Sequence, residues 1–527
     1  MRERPSANRE TRAALAYHEA TKHSERSVRT SSHVLDWANQ PQAFKILGEL
    51  DPIPLPAFSA RDVAALVAIA EPAPLRDELT DLAALARVLY LAAGITKRKR
   101  HPGGEILLRA YPNTGALHHV DLYLVTRELP GLAAGVYHFA PHDFALRRLR
   151  AGDYRARLGE ASGGSPEIAR AAVVIASAST WWRNAWKYQA RAWRHVFWDG
   201  GTLHANLLAA AATEGLGPCV VMGYADAAID PLLGLDPRRE GSLALVPLGR
   251  SARTPPAAPA ASELRLETEP LSRSEIDYPA IRDAQTASAL VDGAEAAAWR
   301  AAAAPAEATA PHGALVPLRP LAEAALPRDS LDAVIRRRGS TRAFDRERPL
   351  RFEDLSTALD RSTRGVPADF LGAPPASLLD LYLIVNAVEG LAPGAYVYHR
   401  AERALERLRE GRFREAAGRL ALGQALAADA AVNVYSLSDL ARVLERFGNR
   451  GYRAAQLEGG ITGGRLYLAA YALGFGATGL TFFDDEVTDF FSPHAAGKSV
   501  MFLTALGHPD RVALGLAPRR ARAGSRA

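Results

Sequence analysis

Apolar and polar positions predict the same series of elements twice along the chain. Apolar runs predict paired strands at Leu122 to Thr126 and Gly135 to Phe139, and again at Leu381 to Val385 and Gly394 to Tyr398. Charged stretches such as HRAERALERLREGRFREAAGRL then predict solvated helices. Each half continues with an apolar strand (AAVVIASAS or AAVNVYSLS), a long helix ending in GLG or GFG, and a last strand pair (ALVPLG or MFLTALG). Helices packed on a mixed or antiparallel sheet define an α+β class.

The two halves form an internal repeat. VDLYLVTRELPGLAAGVYHFAPHDFALRRLRAGDYR aligns with LDLYLIVNAVEGLAPGAYVYHRAERALERLREGRFR at an offset of 259 residues. The offset persists at the pairs Gly135 and Gly394, Arg194 and Arg453, and Asp226 and Asp485. We therefore expect two copies of one domain that pair as a dimer within one chain.

Composition shifts suggest the domain boundaries. We expect an N-terminal extension at 1–70, domain 1 at 71–252, a linker at 253–327, domain 2 at 328–512 and a basic tail at 513–527. ARTPPAAPAAS and AAAAPAEATAPHG have the Pro, Ala and Gly content that favours a linker. The tail contains APRRARAGSRA, and basic runs of this kind are usually disordered.

Bulk composition excludes several classes of protein. The chain is 48% hydrophobic and 23% charged, as in ordinary globular proteins. The net charge of +6 could indicate a nucleic-acid partner, but arginines alternate with acids in most segments, so none is expected. A single cysteine, Cys219, and a polar start without the apolar core of a signal peptide predict a cytoplasmic protein with no membrane partner.

RRRGSTRAF is the first candidate for chemistry. Arg338, Ser340 and Arg342 alternate across a glycine turn and present two guanidinium groups and a hydroxyl, which suits a phosphate monoester. Arginines that only stabilise a helix C-terminus are the alternative. The matching region of the first copy, RDVAALVAIAEPAP, has no such clamp.

The first copy has its own candidate in RAYPNTGALHH. Pro112, Asn113, Thr114 and Gly115 form a loop whose backbone N–H groups could meet anionic or carbonyl oxygens, while an ordinary β-turn is the alternative. The second copy has LGAPPASLL there, and its prolines lack donors.

GFGATG, residues 474–479, matches the residue pattern of a dinucleotide-binding fingerprint but not its structural context. It follows the helix RLYLAAYAL and precedes the predicted strand LTFF, the reverse of the required order. A helix C-cap glycine followed by a turn, or close approach of a flat ligand to the backbone, are the remaining interpretations.

WWRNAWKYQARAWRHVFWDGGTLHANL holds five of the seven tryptophans, a density typical of a core or an interface. Lys187 and Tyr188 lie within it, and Arg446 and Phe447 replace them in the second copy. Either could act as a base only if its surroundings lowered a pKa of about 10; a structural role is the alternative. No metal site is predicted, because the histidine pairs at 118 and 119 and at 195 and 204 lack ligand spacing.

Together these motifs resemble the nitroreductase-like flavoproteins, specifically the azoline dehydrogenase branch called the SagB/ThcOx type. The resemblance covers Asp81 to Gly249 and Ser330 to Gly507. YHEATKH at Tyr17 and LDWANQP at Leu35 resemble the N-terminal signature of that branch.

The resemblance implies that FMN binds at the interface, with an R-x-S-x-R/K motif and a late glycine turn from one subunit and a P-S-x-G loop from its partner. The phosphate motif falls on Arg338, Ser340 and Arg342, the late turn on Gly476, Ala477, Thr478 and Gly479, and the partner loop on Pro112, Asn113, Thr114 and Gly115. Asn113 stands where the family has serine. Lys187 and Tyr188 match the catalytic Lys-Tyr pair of the branch.

The complementary losses in the two copies then predict one composite FMN site per chain and an empty mirror site. The implied reaction oxidises a thiazoline or oxazoline in a peptide-derived substrate to the azole, with Lys187 or Tyr188 as the base, and biosynthetic partner proteins are a further expectation. An NAD(P)H-dependent nitro or quinone reductase and a non-catalytic scaffold subunit remain alternatives.

Overall fold

The computed structural model describes residues 6–71, 81–101, 104–251, 253–303, 310–373 and 376–515. Most of the basic tail lies outside these residues. Within them, every helix is too short or too polar to cross a lipid bilayer.

The first repeat is built on a six-stranded antiparallel sheet with the spatial order β1-β6-β5-β4-β7-β8. A separate hairpin, β2–β3, precedes β4. The neighbouring strands β4 and β7 are buried along their whole length, which explains their nearly continuous apolar sequences. The strands are β1 (Pro52–Pro54), β2 (Ile95–His101), β3 (Gly104–Arg109), β4 (Val120–Thr126), β5 (Gly135–Ala140), β6 (Ala145–Ala151), β7 (Val173–Thr180) and β8 (Glu240–Leu248).

The second repeat has a seven-stranded antiparallel sheet with the order β16-β17-β15-β11-β13-β14-β9. The short strands β10 and β12 pair in parallel beside it. The strands are β9 (Leu315–Pro317), β10 (Leu350–Arg351), β11 (Asp380–Val385), β12 (Val388–Glu389), β13 (Gly394–His399), β14 (Ala404–Glu410), β15 (Val432–Ser438), β16 (Gly476–Gly479) and β17 (Ser499–Gly507). The predicted α+β class with antiparallel sheets is confirmed.

Helices cover the sheets and meet between the repeats. Those of the first half are α1 (Arg12–Ala20), α2 (Glu25–Arg29), α3 (Ala65–Ala68), α4 (Leu82–Ala93), α5 (Arg155–Ala161), α6 (Pro166–Arg170), α7 (Trp181–Tyr188), α8 (Ala192–Thr213) and α9 (Asp226–Ile229). Those of the second half are α10 (Pro279–Ala287), α11 (Gly293–Ala301), α12 (Leu331–Arg337), α13 (Phe352–Ser362), α14 (Arg414–Leu420), α15 (Ala425–Asp429), α16 (Leu440–Phe447), α17 (Arg450–Leu473) and α18 (Asp484–Phe491).

Three elements differ from the sequence prediction. The charged stretch predicted as helix contains the strand β14, as the equivalent stretch of the first copy contains β6. Both strands begin with three buried positions and expose only some of their charged residues. The predicted strand at LTFF is irregular, and the strand is GATG itself. The described parts of the linker contain regular structure, since they form α10, α11 and the edge strand β9.

The repeats pair through their two longest helices, α8 and α17. A Cβ added at Gly201 would lie 2.5 Å from the Leu457 carbonyl oxygen, and one at Gly460 would lie 2.4 Å from that of Trp198. Only glycine permits this approach of the two backbones. Trp193 stacks on Tyr452 with ring centroids 5.6 Å apart. The predicted dimer within one chain is confirmed.

Buried ion pairs cross the interface in both directions. Arg453 in α17 donates to Asp226 of the first repeat at 2.7 Å, and Arg194 in α8 donates to Asp484 of the second at 2.5 Å. Burial alone would raise the pKa of Asp484, but Arg194 and Arg191 lower it. The structural counterpart of Asp226 is thus Asp484, not Asp485, which corrects the alignment by one residue.

Candidate cofactor and active site

The four arginines of RRRGSTRAF differ in their exposure to solvent, and α12 ends within this motif. Arg336 and Arg337 are exposed, whereas the side chain of Arg338 is buried. Its Nε and Nη2 donate to the carbonyl oxygen of Ala110 at 3.2 and 2.9 Å, and Nη2 also reaches that of Arg109 at 3.3 Å. The clamp of the second repeat therefore lies directly against the segment that leads into the loop of the first.

Arg338 is a buried cation without a carboxylate partner among the described residues. Burial lowers its pKa. Lys97 of the β2–β3 hairpin donates to the carbonyl oxygen of Arg337 at 2.9 Å and to that of Arg338. Burial, with Arg338 and Lys99 beside it, lowers the pKa of Lys97 to about 8. Two uncompensated cations at one place favour an anion.

Ser340 and Thr341 connect the clamp to GATG. The Ser340 hydroxyl lies 3.2 Å from the Tyr467 hydroxyl, which accepts from the backbone N–H of Gly479. Thr341 N–H donates to Ala477 at 2.9 Å. Because a Cβ on Gly476 would lie 2.2 Å from Thr341 Oγ1, that glycine makes room for the clamp itself.

GATG is the edge strand β16, so the predicted late turn at Gly476, Ala477, Thr478 and Gly479 is a strand that pairs with β17. The helix C-cap interpretation of GFGATG holds for its first glycine. Gly474 ends α17 in the left-handed conformation with φ of 88°.

Asp199 in α8 holds the Pro112–Gly115 loop. Its carboxylate accepts from the Asn113 side chain at 3.0 Å and from the backbone N–H and hydroxyl of Thr114 at 3.0 and 2.7 Å. Thr202 Oγ1 donates to the Pro112 carbonyl oxygen at 2.6 Å. The N–H of Thr114 is therefore not open to a ligand, which corrects the predicted array of free donors at this residue.

A histidine completes the support of this carboxylate. His119 Nε2 lies 2.7 Å from Asp199 Oδ2, and its Nδ1 lies 2.9 Å from the Ser179 hydroxyl. Sequence reasoning missed Asp199, although the repeat offset places the acidic Glu458 at the matching position. Glu458 likewise accepts from Ser377 and from Leu378 N–H.

Lys187 and Tyr188 end α7 beside this loop. A Cβ on Gly115, where φ is 65°, would lie 2.9 Å from the Tyr188 hydroxyl. Lys187 Nζ lies 5.5 Å from the centre of the Tyr188 ring. Burial and Asp199 raise the pKa of Tyr188, while Arg342 of the second repeat acts to lower it. The clamp, the loop and the Lys-Tyr pair thus meet across the interface.

The tryptophans of α7 border a cavity of about 300 Å³. Trp181 and Trp182 form one wall, and Glu275 and Tyr278 of the linker form another. Trp182 and Tyr278 also pack in the cluster that contains Tyr188. The lining of this cavity is therefore of mixed polarity.

A tryptophan packs at the mirror position of the second repeat, on Phe447, the counterpart of Tyr188. Trp299 of the linker helix α11 is fully buried, packs on Phe447 with ring centroids 5.2 Å apart, and donates from Nε1 to the Phe447 carbonyl oxygen at 2.9 Å. Arg446 Nε donates to the Ala302 carbonyl oxygen. The cavity beside Glu458 measures only about 10 Å³, the room of a single water.

Two antiparallel α+β repeats, paired by central helices around a cationic interface site, define the flavin-type oxidoreductase fold. The nitroreductase family profile matches residues 68–250 and 335–508, and the chain belongs to that family. It carries two tandem nitroreductase domains.

Three comparisons extend this assignment. The chain is 30% identical over 197 residues to the trifolitoxin-processing protein TfxB of Rhizobium leguminosarum bv. trifolii, covering 36% of this chain and 52% of the relative, about half its length. It is 27% identical over 166 residues to a candidate nitroreductase of Methanocaldococcus jannaschii, covering 32% of this chain and 79% of the relative. A crystal structure of a candidate nitroreductase from Anabaena variabilis matches with a TM-score of 0.73 at 27% identity, covering 94% of this chain and 99% of that one.

Proposed function

We propose that this protein is an FMN-dependent dehydrogenase of the SagB/ThcOx type, which oxidises an azoline or related C–N heterocycle in a peptide-derived substrate. The observation that carries the proposal is Arg338, a buried guanidinium that crosses the repeat interface and has no carboxylate partner among the described residues. A phosphate monoester supplies the missing negative charge.

The residues at the interface fit the phosphate end of FMN. Arg338 uses Nε and Nη2 on backbone carbonyls, which leaves Nη1 for a ligand. Lys97, the Ser340 hydroxyl and the exposed Arg342 lie around the same turn. We assign phosphate binding to these four residues, and contact with the rest of the cofactor to the Pro112–Gly115 loop.

Bound FMN would supply the hydride acceptor. The chain supplies the proton chemistry and the position of the substrate. Because burial raises the pKa of Tyr188, its hydroxyl keeps its proton near neutral pH and is suited to donate a hydrogen bond. We assign that role to Tyr188, and proton removal from the substrate to the neutral amine form of Lys187. Trp182 and Tyr278 pack with Tyr188 and also line the 300 Å³ cavity, which we assign to the part of the substrate that flanks the reacting ring.

We take the substrate class from the relative that is named a trifolitoxin-processing protein, because that name describes the maturation of trifolitoxin. The cavity is also lined by Glu275 and Asp277 of the linker and by Arg239 of the first repeat, which offer charged groups to the flanks of a peptide. We infer a single FMN site because the mirror position lacks the arginine clamp and the Lys-Tyr pair, and because Trp299 also packs on Phe447 there.

Anaerobic reduction of the bound flavin tests the proposal. We expect a thiazoline-containing peptide to bleach the flavin absorbance and to lose two hydrogens by mass spectrometry. Lys187→Met should abolish bleaching without releasing FMN, and Tyr188→Phe should slow it. Rapid bleaching by NADPH with an unreactive azoline would instead identify a reductase, and a chain that takes up no flavin would identify a scaffold.

A further inference from the structure

Three potential metal ligands converge in the second repeat. His399 ends β13, Glu406 lies in the adjacent β14, and His494 follows α18. One ligand atom from each lies within 4.8 Å of the other two. His494 is distant in sequence from the other two residues, which is why ligand spacing along the chain does not reveal the group.

One ring nitrogen of His494 contacts a hydroxyl, and the other has no hydrogen-bond partner among the described residues. The Tyr382 hydroxyl lies 2.9 Å from His494 Nδ1 and donates its own proton to the His494 carbonyl oxygen at 3.3 Å. The tautomer that fits both contacts, and that we assign here, has Nδ1–H donating to this hydroxyl and no hydrogen on Nε2. His494 Nε2 is buried and has no hydrogen-bond partner among the described residues. An unmet buried acceptor is costly.

His399 and Glu406 already contact each other at hydrogen-bond distance. His399 Nε2 lies 2.7 Å from Glu406 Oε2, and the other carboxylate oxygen accepts from His312 N–H at 3.2 Å. A cross-strand His–Glu pair is common as a purely structural contact. That contact alone does not account for the bare, buried Nε2 of His494 beside it.

We propose that His399, Glu406 and His494 bind one divalent transition-metal ion of the zinc class. Two imidazoles and a carboxylate match the preference of Zn²⁺ for nitrogen and oxygen ligands, with water as the fourth. Binding displaces the proton of the hydrogen bond between His399 and Glu406 to solvent, so His399 Nε2 and Glu406 Oε2 become ligands. The Tyr382 hydroxyl orients His494 through Nδ1, as outer ligands of metal-bound histidines do.

The site belongs to the second repeat alone. At the same offset the first repeat has Ala140 and Arg147 in place of His399 and Glu406. An arginine there excludes a cation. The metal would tie the β13–β14 hairpin to the loop after α18, an anchor that the first repeat lacks.

Titration of the full chain, treated with a chelator and loaded with FMN, tests this site. We expect Co²⁺ alone to bind at one ion per chain with visible ligand-field bands, and Zn²⁺ alone to displace it. His399→Ala, His494→Ala and the isosteric Glu406→Gln should each lose stoichiometric binding. The matched control is His142→Ala, which alters the equivalent hairpin of the first repeat and should bind as the native chain does.

Retained FMN and an unchanged circular dichroism spectrum show that each variant is folded. Tyr382→Phe, which keeps all three ligands, should weaken Co²⁺ binding about tenfold or more because His494 loses its orienting partner. The proposal is wrong if the native chain binds no stoichiometric ion, or if binding survives in both histidine variants.

Discussion

Replacing Arg338 by alanine should selectively weaken the binding of a flavin that carries a phosphate. The substitution removes the only buried cation of RRRGSTRAF and leaves the exposed Arg336 and Arg337 in place. A charge-assisted hydrogen bond contributes about 1.5–3 kcal/mol. With one bond from Nη1 to the phosphate, we expect a loss of about 2–3 kcal/mol, which is roughly 30- to 150-fold in affinity.

The same substitution also removes the hydrogen bonds from Arg338 to Ala110 and Arg109, so a general effect on the interface must be separated from the phosphate contact. Riboflavin, which has the same ring but no phosphate, provides that separation. Fluorescence titration of each flavin into the native chain and into Arg338→Ala yields four dissociation constants. The ratio of FMN to riboflavin affinity isolates the contact between guanidinium and phosphate.

We expect this ratio to fall roughly 30- to 150-fold in Arg338→Ala and to stay within about twofold in the control Arg336→Ala, whose side chain is exposed and lies over the Tyr90 ring. If Arg338→Ala weakens FMN and riboflavin equally, the arginine only joins the two repeats. The assignment of the phosphate to this turn would then be wrong.

Three further predictions follow from neighbouring groups. Asp199→Asn should weaken FMN binding because the loop loses its carboxylate acceptor, whereas Glu458→Gln at the mirror position should lower only the melting temperature. Lys97 of the free chain loses its proton above about pH 8, and FMN binding must restore that proton, so FMN affinity should fall by up to tenfold per pH unit above this value. FMN titrations at a series of pH values should show a flatter dependence for Lys97→Gln. Trp299→Ala should destabilise the chain by about 3–5 kcal/mol in denaturant unfolding while FMN stoichiometry stays unchanged; a second FMN would contradict the assigned loss of the mirror site.

The repeat predicted most of the architecture, since side-chain periodicity and the constant offset reflect burial in two equivalent sheets. Edge strands escaped this reasoning. β14 carries a dense run of charges on its exposed face, so its sequence also fits a solvated helix. The helix α11 in the linker was not predicted for a different reason. It lies among Pro- and Ala-rich stretches that are typical of a linker, and only its buried Trp299 anchors it in the core.

Motifs located the site, but only tertiary contacts showed how it is held together. Arg338, Gly115 and Tyr188 were predicted as members of one site, and contacts between the repeats bring their segments together. Asp199 was missed because it lies in a helix whose aromatic sequence is typical of a core. Lys97 was missed because a basic hairpin ordinarily faces solvent, and its position beside Arg338 depends on how the repeats pair.

The stoichiometry of FMN binding tests most directly the claim that one cofactor lies between the clamp of the second repeat and the loop of the first. The full chain, freed of flavin, is titrated with FMN at concentrations far above the dissociation constant while fluorescence quenching is followed. We predict a single break at one FMN per chain. A break at two FMN per chain, or no saturable binding, would contradict the account.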